Sequence, residues 1–543
     1  MGKYGSGSLR DQLVALKGNS TSQGKSENGT AQTPANTSKK KTTAAGSARK
    51  LSPKAPTQTR VLAPPKVTTP PKAQKPTVDF GSSAITIDSP EANFKAPAKW
   101  VDLGIKSAVR PDDKTKGRHL SVTVGLDFGT ALTKAAVEIN KERFVVDWSG
   151  THNSKDIFYL AGEFSTSRAE EAFIGRMLGA KTFGDLKKAF LERDGLADAE
   201  SMANAATYMS LVFRYIRAWV FHNLKEKLAD RPLRWILRIG LPTDRWDRGS
   251  SLSNTYRKIG ELAWQHSTSL EIKRADVLRA LKTDVQPTSS VELLEFIPEF
   301  AAQIAGYLNS PYRREHDMHL LVDVGAGTVD VACFQCVPDK QNWTNRLVVF
   351  STGVFKLGTY FLLLNRIGPA NAKKISKLAS EPIPNAASFA KRMGINEQVV
   401  EEKDSALEQD LANKIGEIII SSKRVNPLHP TFLGSVDRRA ERKAPLVVML
   451  TGGGAEVRAY QQAVRKAISQ CNLAEPHFID LPKDNSLKEL PKKSIGHFGR
   501  VSVAAGLTYQ FDNIEIFKPK HIPAIETRTG RAAKPDREEL YGK

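Results

Sequence analysis

From residue 119 onward the chain sets apolar and polar positions at regular spacings; before it, no period is kept. The run SVTVGLDFG alternates as a strand does, TKAAVEI reads as its hairpin partner and RFVVDWS as a third strand, so an antiparallel meander is expected to open the folded part. In YMSLVFRYIRAWVFHNLKEKLA the apolar positions recur at helical spacing over a length that suits a long buried helix, and RWILRIGLP reads as an interior strand. VELLEFIPEFAAQIAGYLN predicts a second long helix. It leads into MHLLVDVGAGTVDVACF, and later PLVVMLTGGGAEVRAYQQAVRKAI reads as a buried strand, a triple-glycine turn and an amphipathic helix. Strands and helices mixed in this way predict an α/β fold with mixed sheets.

Two of these segments share one device. In the first, an apolar strand ends on Asp127 and turns through Gly129 and Thr130 into a second strand; in the other it ends on Asp323 and turns through Gly325, Ala326, Gly327 and Thr328. The aspartates stand 196 positions apart, which suggests duplication of a strand, turn, strand module. Glycine leaves no side chain in the way of an anion, so backbone N–H groups can converge on phosphate oxygens, and threonine adds a hydroxyl. An aspartate cannot welcome phosphate directly, but it suits a hydrated Mg2+ that neutralises a polyphosphate. Two such hairpins facing each other would clamp the tail of a nucleotide.

Composition narrows the setting. At 543 residues and 40% hydrophobic content the chain is too long for a single compact core, so several units are expected. Three cysteines cannot staple a chain of this size, no apolar run reaches the roughly 20 residues a bilayer requires, and no signal-like apolar core opens the sequence, so a cytoplasmic protein without a transmembrane segment is expected. Cys333 and Cys336, three apart in an expected strand, should face opposite sides rather than form a metal or redox pair. The net charge is +22, of which residues 1–118 carry +13, from 21 Lys and Arg against 8 Asp and Glu. That leader is rich in Ser, Thr, Ala and Pro and reads as a disordered basic tail, a tether or a weak contact for nucleic acid or another acidic surface.

In the order hairpin, hairpin, strand-GGG-helix, the three motifs resemble the phosphate 1, phosphate 2 and adenosine motifs of the superfamily of actin, the sugar kinases and the 70-kilodalton heat-shock chaperones. The resemblance spans about 120 to 510 and is nearest to the chaperone branch: LLVDVGAGTVDVACF is similar to its second phosphate loop, IPEFAAQIAGYL to its connector helix, VVFSTGVFKLGTYFLLLNRI to the segment after the hairpin, and RVSVAAGLTY to the closing helix of bacterial relatives. Departures are Ala326 in place of a usual glycine, LGTYFLLL without the acidic residues of LGGEDFD, and only a loose match of NKIGEIIISSKR to the adenosine-contacting helix.

The resemblance implies a two-lobed actin-like ATPase of duplicated ribonuclease H-like sheets with ATP or ADP and Mg2+ in the cleft. Asp127 and Asp323 would hold the metal through waters; Gly129, Thr130, Gly325, Ala326, Gly327 and Thr328 would line the phosphates; Gly452, Gly453 and Gly454 would face the nucleoside. Glu299 would stand at the connector carboxylate position, and Lys187 or Lys188 would supply the lysine beside the γ-phosphate. The expected division is a leader over 1–118, lobe I over 119–316, lobe II over 317–498 with a helical insert near 371–430, a closing helix over 499–515 that returns to lobe I, and a polar tail over 516–543. That tail leaves no room for the substrate-binding module of a full chaperone. The expected function is therefore an ATPase coupled to an unidentified protein partner. A filament-forming actin-like ATPase, a sugar-type kinase using Asp244 or Asp247, and a nucleotide-sensing adaptor of weak activity stand as alternatives.

Overall fold

A computed structural model describes residues 118–151, 157–177, 179–187, 198–228, 231–242, 251–283, 293–339, 344–368, 383–433, 444–483, 485–489, 495, 497–511 and 514–517. The leader up to residue 117, the tail from 518, the first part of the helical insert (371–382), Lys188, Asp244 and Asp247 lie outside the described residues. Those that are described all belong to one compact unit, Ser82–Lys543.

The opening alternation forms the expected meander: β1 (Leu120–Phe128), β2 (Leu132–Ile139) and β3 (Glu142–Val145) pair antiparallel. A short β4 (Leu160–Ala161) pairs with β2, and β5 (Phe164–Thr166), β6 (Ala172–Ile174) and β7 (Lys181–Phe183) make a small separate sheet. Helix α1 (Ala199–Asn223) begins where the Asp198 carboxylate accepts from the Ser201 N–H at 2.7 Å, satisfying a donor that the first helical turn leaves free. Strand β8 (Leu233–Leu241) lies parallel to β1; α2 (Ser251–His266) and α3 (Arg274–Thr283) follow, and β9 (Leu293–Pro298) lies parallel to β8.

The run expected as one long helix near 291–309 is instead strand β9 followed at once by α4 (Glu299–Leu308). Both faces of β9 meet protein: Leu294 and Phe296 pack on the core of the first sheet, whereas Ile297 joins a different one. A strand buried on both sides shows no apolar and polar alternation, which is why it imitates a helix in sequence. Pro298 then marks the switch, since it has no N–H to continue a ladder yet its fixed φ suits a helix start.

The second sheet repeats the first. Strands β10 (Met318–Val324), β11 (Val329–Asp339) and β12 (Thr344–Phe355) form another antiparallel meander. Among the described residues three helices follow, α5 (Thr359–Ile367), α6 (Ala386–Met393) and α7 (Glu397–Val425), and β13 (Val447–Thr451) returns parallel to β10. After α8 (Arg458–Gln470), β14 (His477–Phe478) adds to β13, and β15 (Leu487–Lys488) pairs with β3 of the first sheet. The five-residue α9 (Ser502–Gly506) and β16 (Ile514–Phe517), parallel to β12, complete the described chain. The orders are β15-β3-β2-β1-β8-β9 and β14-β13-β10-β11-β12-β16. Each sheet is thus a meander extended beyond its first strand by two parallel strands.

One core joins the first sheet to α1, α2 and α3 through side chains such as Val124, Trp219 and Trp264; a second joins the second sheet to α7 and α8. Between them, α4 and α9 pack on the second sheet through Ala302, Tyr307, Leu321, Phe334 and Val503. Helix α9 is wedged tightly: a methyl group on Gly506 would overlap the Ala302 carbonyl, and one on Gly125 of β1 would overlap that of Ala504. Cys333 and Cys336 are buried in different cores, and burial pushes both thiols up to about 12. Among the described residues no helix is long and apolar enough to cross a membrane.

Candidate functional site

Hairpin register sets the geometry. In the β1/β2 hairpin Asp127 stands directly opposite Lys134, and in β10/β11 Asp323 stands directly opposite Asp330. Both partners lie seven positions after their aspartate, a consequence of equal turn length. Lys134 Nζ reaches Asp127 Oδ2 at 2.9 Å, and the Asp127 side chain is only 8% exposed. Gly129 must be glycine here, because a Cβ would overlap the Leu132 carbonyl across the turn. In the second turn the Gly325 N–H donates to the Thr328 carbonyl at 2.9 Å, and Thr328 Oγ1 donates to Asp330 Oδ2 at 2.9 Å. Asp330 Oδ1 has no partner among the described residues.

The two turns meet. A methyl group on Gly327 would lie 3.2 Å from Thr130 Cγ2, so the tips of hairpins far apart in sequence are in contact. Beside them stands Glu299, the first residue of α4, whose carboxylate accepts from Lys187 Nζ at 2.6 Å. Lys187 is 5% exposed. Burial alone would depress this ammonium, but Glu299, with Tyr256 and Asp127, outweighs it and holds the pKa above the ordinary lysine value. Between Thr130, Thr328, Asp330, Glu299 and Lys187 remains a gap of about 10 Å3, room for roughly one water.

Four carboxylates, Asp127, Glu299, Asp323 and Asp330, thus crowd two ammonium groups, Lys134 and Lys187. Burial raises the pKa of Asp323 to about 6; Asp127 and Glu299 add to the rise, whereas Lys134 and a hydrogen bond from Gln303 oppose it. Asp330 is raised by burial too, reinforced by Glu299 and Asp323. The site is short of positive charge.

The glycine-rich turn after β13 closes one side. Gly452 has φ +84°, a conformation only glycine adopts without strain, and its Cα packs so closely on the Asp323 carboxylate that a methyl group would overlap Oδ1. The Gly454 N–H donates to the Val324 carbonyl at 3.0 Å, while Gly453 is exposed and faces the Arg500 guanidinium. Helix α8 starts only at Arg458, so its N-terminus stands four residues beyond the last glycine. The second hairpin is also tied to α5: the Thr359 and Tyr360 N–H groups donate to the Gly325 and Ala326 carbonyls at 3.0 and 2.8 Å.

Thr130, Lys187, Glu299 and Thr328 line the gap with Asp330; Asp127 and Asp323 belong to the charged cluster beside it, Gly129, Gly325, Ala326 and Gly327 form the two turns, Gly452 packs on Asp323, Gly454 lies one step behind and Gly453 points outward. Lys134, Asp330 and Gln303 belong to the same cluster and were not anticipated. Hairpin register would have found the first two, since each Asp pairs with the residue seven positions on. Nothing marks Gln303 in an apolar helix. No set of three or more His, Cys, Asp and Glu side chains among the described residues converges closely enough to bind a metal by itself. No protein-family model and no curated protein matches this chain.

Proposed function

We propose that the chain is a two-lobed ATPase of the actin, sugar kinase and 70-kilodalton heat-shock superfamily, nearest the heat-shock branch, that hydrolyses ATP with Mg2+ and passes its nucleotide state to a protein partner. One observation carries the reading: two Asp-led turns, 196 residues apart in the chain, touch at their tips with their carboxylates in one cluster. The repeated strand plan supports a duplicated origin for the two lobes.

The residues fit a hydrated magnesium ion. The surplus of carboxylate oxygens, hard donors that are too few for a complete ligand set, suits an ion that keeps most of its waters. The unpartnered Asp330 Oδ1 is a further acceptor facing the site. Asp127 and Asp323 would hold the ion, whose charge, when bound, would neutralise the transferring phosphate. Lys134 and Lys187 provide compensating positive charge on the side of the first lobe. The Gly325 N–H is already used within its turn and the Thr328 hydroxyl already donates to Asp330, so these supply shape, while the Ala326 and Gly327 N–H groups and the Thr130 hydroxyl would provide the donors. Glu299, fixed by Lys187, is poised to orient an attacking water.

Between the two turns there is room for roughly one water, so on this reading the lobes part to admit the phosphate tail. The test is ATP turnover by the full chain and by Asp323→Asn. Loss of one preorganised electrostatic group should lower kcat by about 10²- to 10³-fold with the fold intact by circular dichroism. An unchanged turnover in the folded variant would overturn the assignment.

A further inference from the structure

We propose that Gln303 is a positioning residue for Asp323, fixing its carboxylate and tying it to Thr451 at the foot of the glycine turn. The inference rests on the metal and nucleotide reading of the site. Gln303 lies four positions after Glu299 on α4, so the two side chains share a face of the helix and point to the same region. It is 3% exposed, a rare environment for glutamine unless the amide is engaged. Its Nε2 donates to Thr451 Oγ1 at 2.7 Å, and its Oε1 has no partner among the described residues.

Asp323 and Thr451 face each other across the parallel β10/β13 pair, and the Gln303 amide is within hydrogen-bonding reach of the Asp323 carboxyl as well. Gly452 packs against Oδ1 of that carboxyl. The amide is therefore placed to govern how Asp323 is turned. The amide nitrogen carries two hydrogens, so Nε2 can donate to the Thr451 hydroxyl and to the Asp323 carboxylate together. One Asp323 oxygen is then held by the amide and the other is left to face the ion. Partners of this kind, which touch a metal-holding group rather than the metal, commonly control affinity by roughly 10- to 100-fold.

The test uses the full chain, Mn2+ as a paramagnetic probe and saturating ADP. Free Mn2+ is read by electron paramagnetic resonance, and metal-free ADP binding is measured in parallel in EDTA. Gln303→Met keeps the length of the side chain and loses the amide; Thr451→Val keeps the shape of its residue and loses the hydroxyl. The expected result is a rise in the Mn2+ Kd of roughly 10- to 100-fold in Gln303→Met and a smaller rise in Thr451→Val, with metal-free ADP binding unchanged in both. An unchanged Mn2+ Kd in folded Gln303→Met, or an equal loss of metal-free ADP binding, would overturn the role. If that variant does not fold, an unchanged Kd in Thr451→Val does so instead. A wild-type chain that binds neither ADP nor Mn2+ would remove the nucleotide reading itself, an outcome distinct from either.

Discussion

Asp323 sets stability against function at a single residue. Its folded pKa of about 6 stands above the ordinary value of 3.8, so the folded chain holds this proton more tightly than the unfolded chain. The sign is opposite to that of a salt-bridged aspartate: no cost arises below about pH 4, and stability falls as pH rises through 6, where burial must be reconciled with a full negative charge. At about 1.4 kcal/mol per pKa unit, and allowing for partial solvent contact, the cost is roughly 2 kcal/mol above pH 7. Asp323→Asn should therefore raise the melting temperature of the nucleotide-free chain at pH 7.5 even as it removes turnover, and the gain should vanish near pH 4. Melting curves across that range check it; a loss of stability at pH 7.5 would show that the charge is already compensated. A bound cation would relieve the same cost, so a residue poorly placed for stability is well placed for a ligand.

Elements differ in how openly the sequence announces them. The first meander and the second hairpin were legible because tight turns separate apolar runs, and the aspartates at their strand ends break the apolar pattern where a buried strand has no structural need for charge. Strand β9 was not legible, since Leu294, Phe296 and Ile297 are all packed and the period of two is hidden. Lys134 and Asp330 were present in the register but overlooked among residues that resemble ordinary strand positions. Helix α9, expected over 499–515 as a closing helix, is only five residues long and owes its place to contact rather than to intrinsic propensity. Its glycine at 506 lets the backbone approach α4 more closely than any side chain permits. Gly506→Ala gains helix propensity yet must push α9 from the Ala302 carbonyl, so overpacking should dominate and cost about 1–3 kcal/mol. Chemical denaturation measures it, and a variant as stable as the parent would show that the wedge yields freely.

For the molecule as a whole, the two sheets repeat one strand plan and the turn that ends each first strand points at its counterpart. Motion of either sheet relative to the other would change the distance between Thr130 and Gly327. The Cβ position at Gly327 lies 3.5 Å from Thr130 Cβ, at the short end of the range a disulfide accepts, and Gly327 does not need a left-handed backbone. Thr130→Cys combined with Gly327→Cys should therefore form a bond under mild oxidation, visible as linked peptides from the two turns by mass spectrometry. The native Cys333 and Cys336 thiols are buried and should not compete, and the half-buried Cys471 is replaced by Ser throughout the test. If the lobes must part to admit a nucleotide, ADP binding should be present in the reduced double variant, disappear on oxidation and return with dithiothreitol. Failure to cross-link would mean that the turns do not meet in solution. Cross-linking with ADP binding retained would show that binding does not require the two turns to separate, since the space between them takes roughly one water.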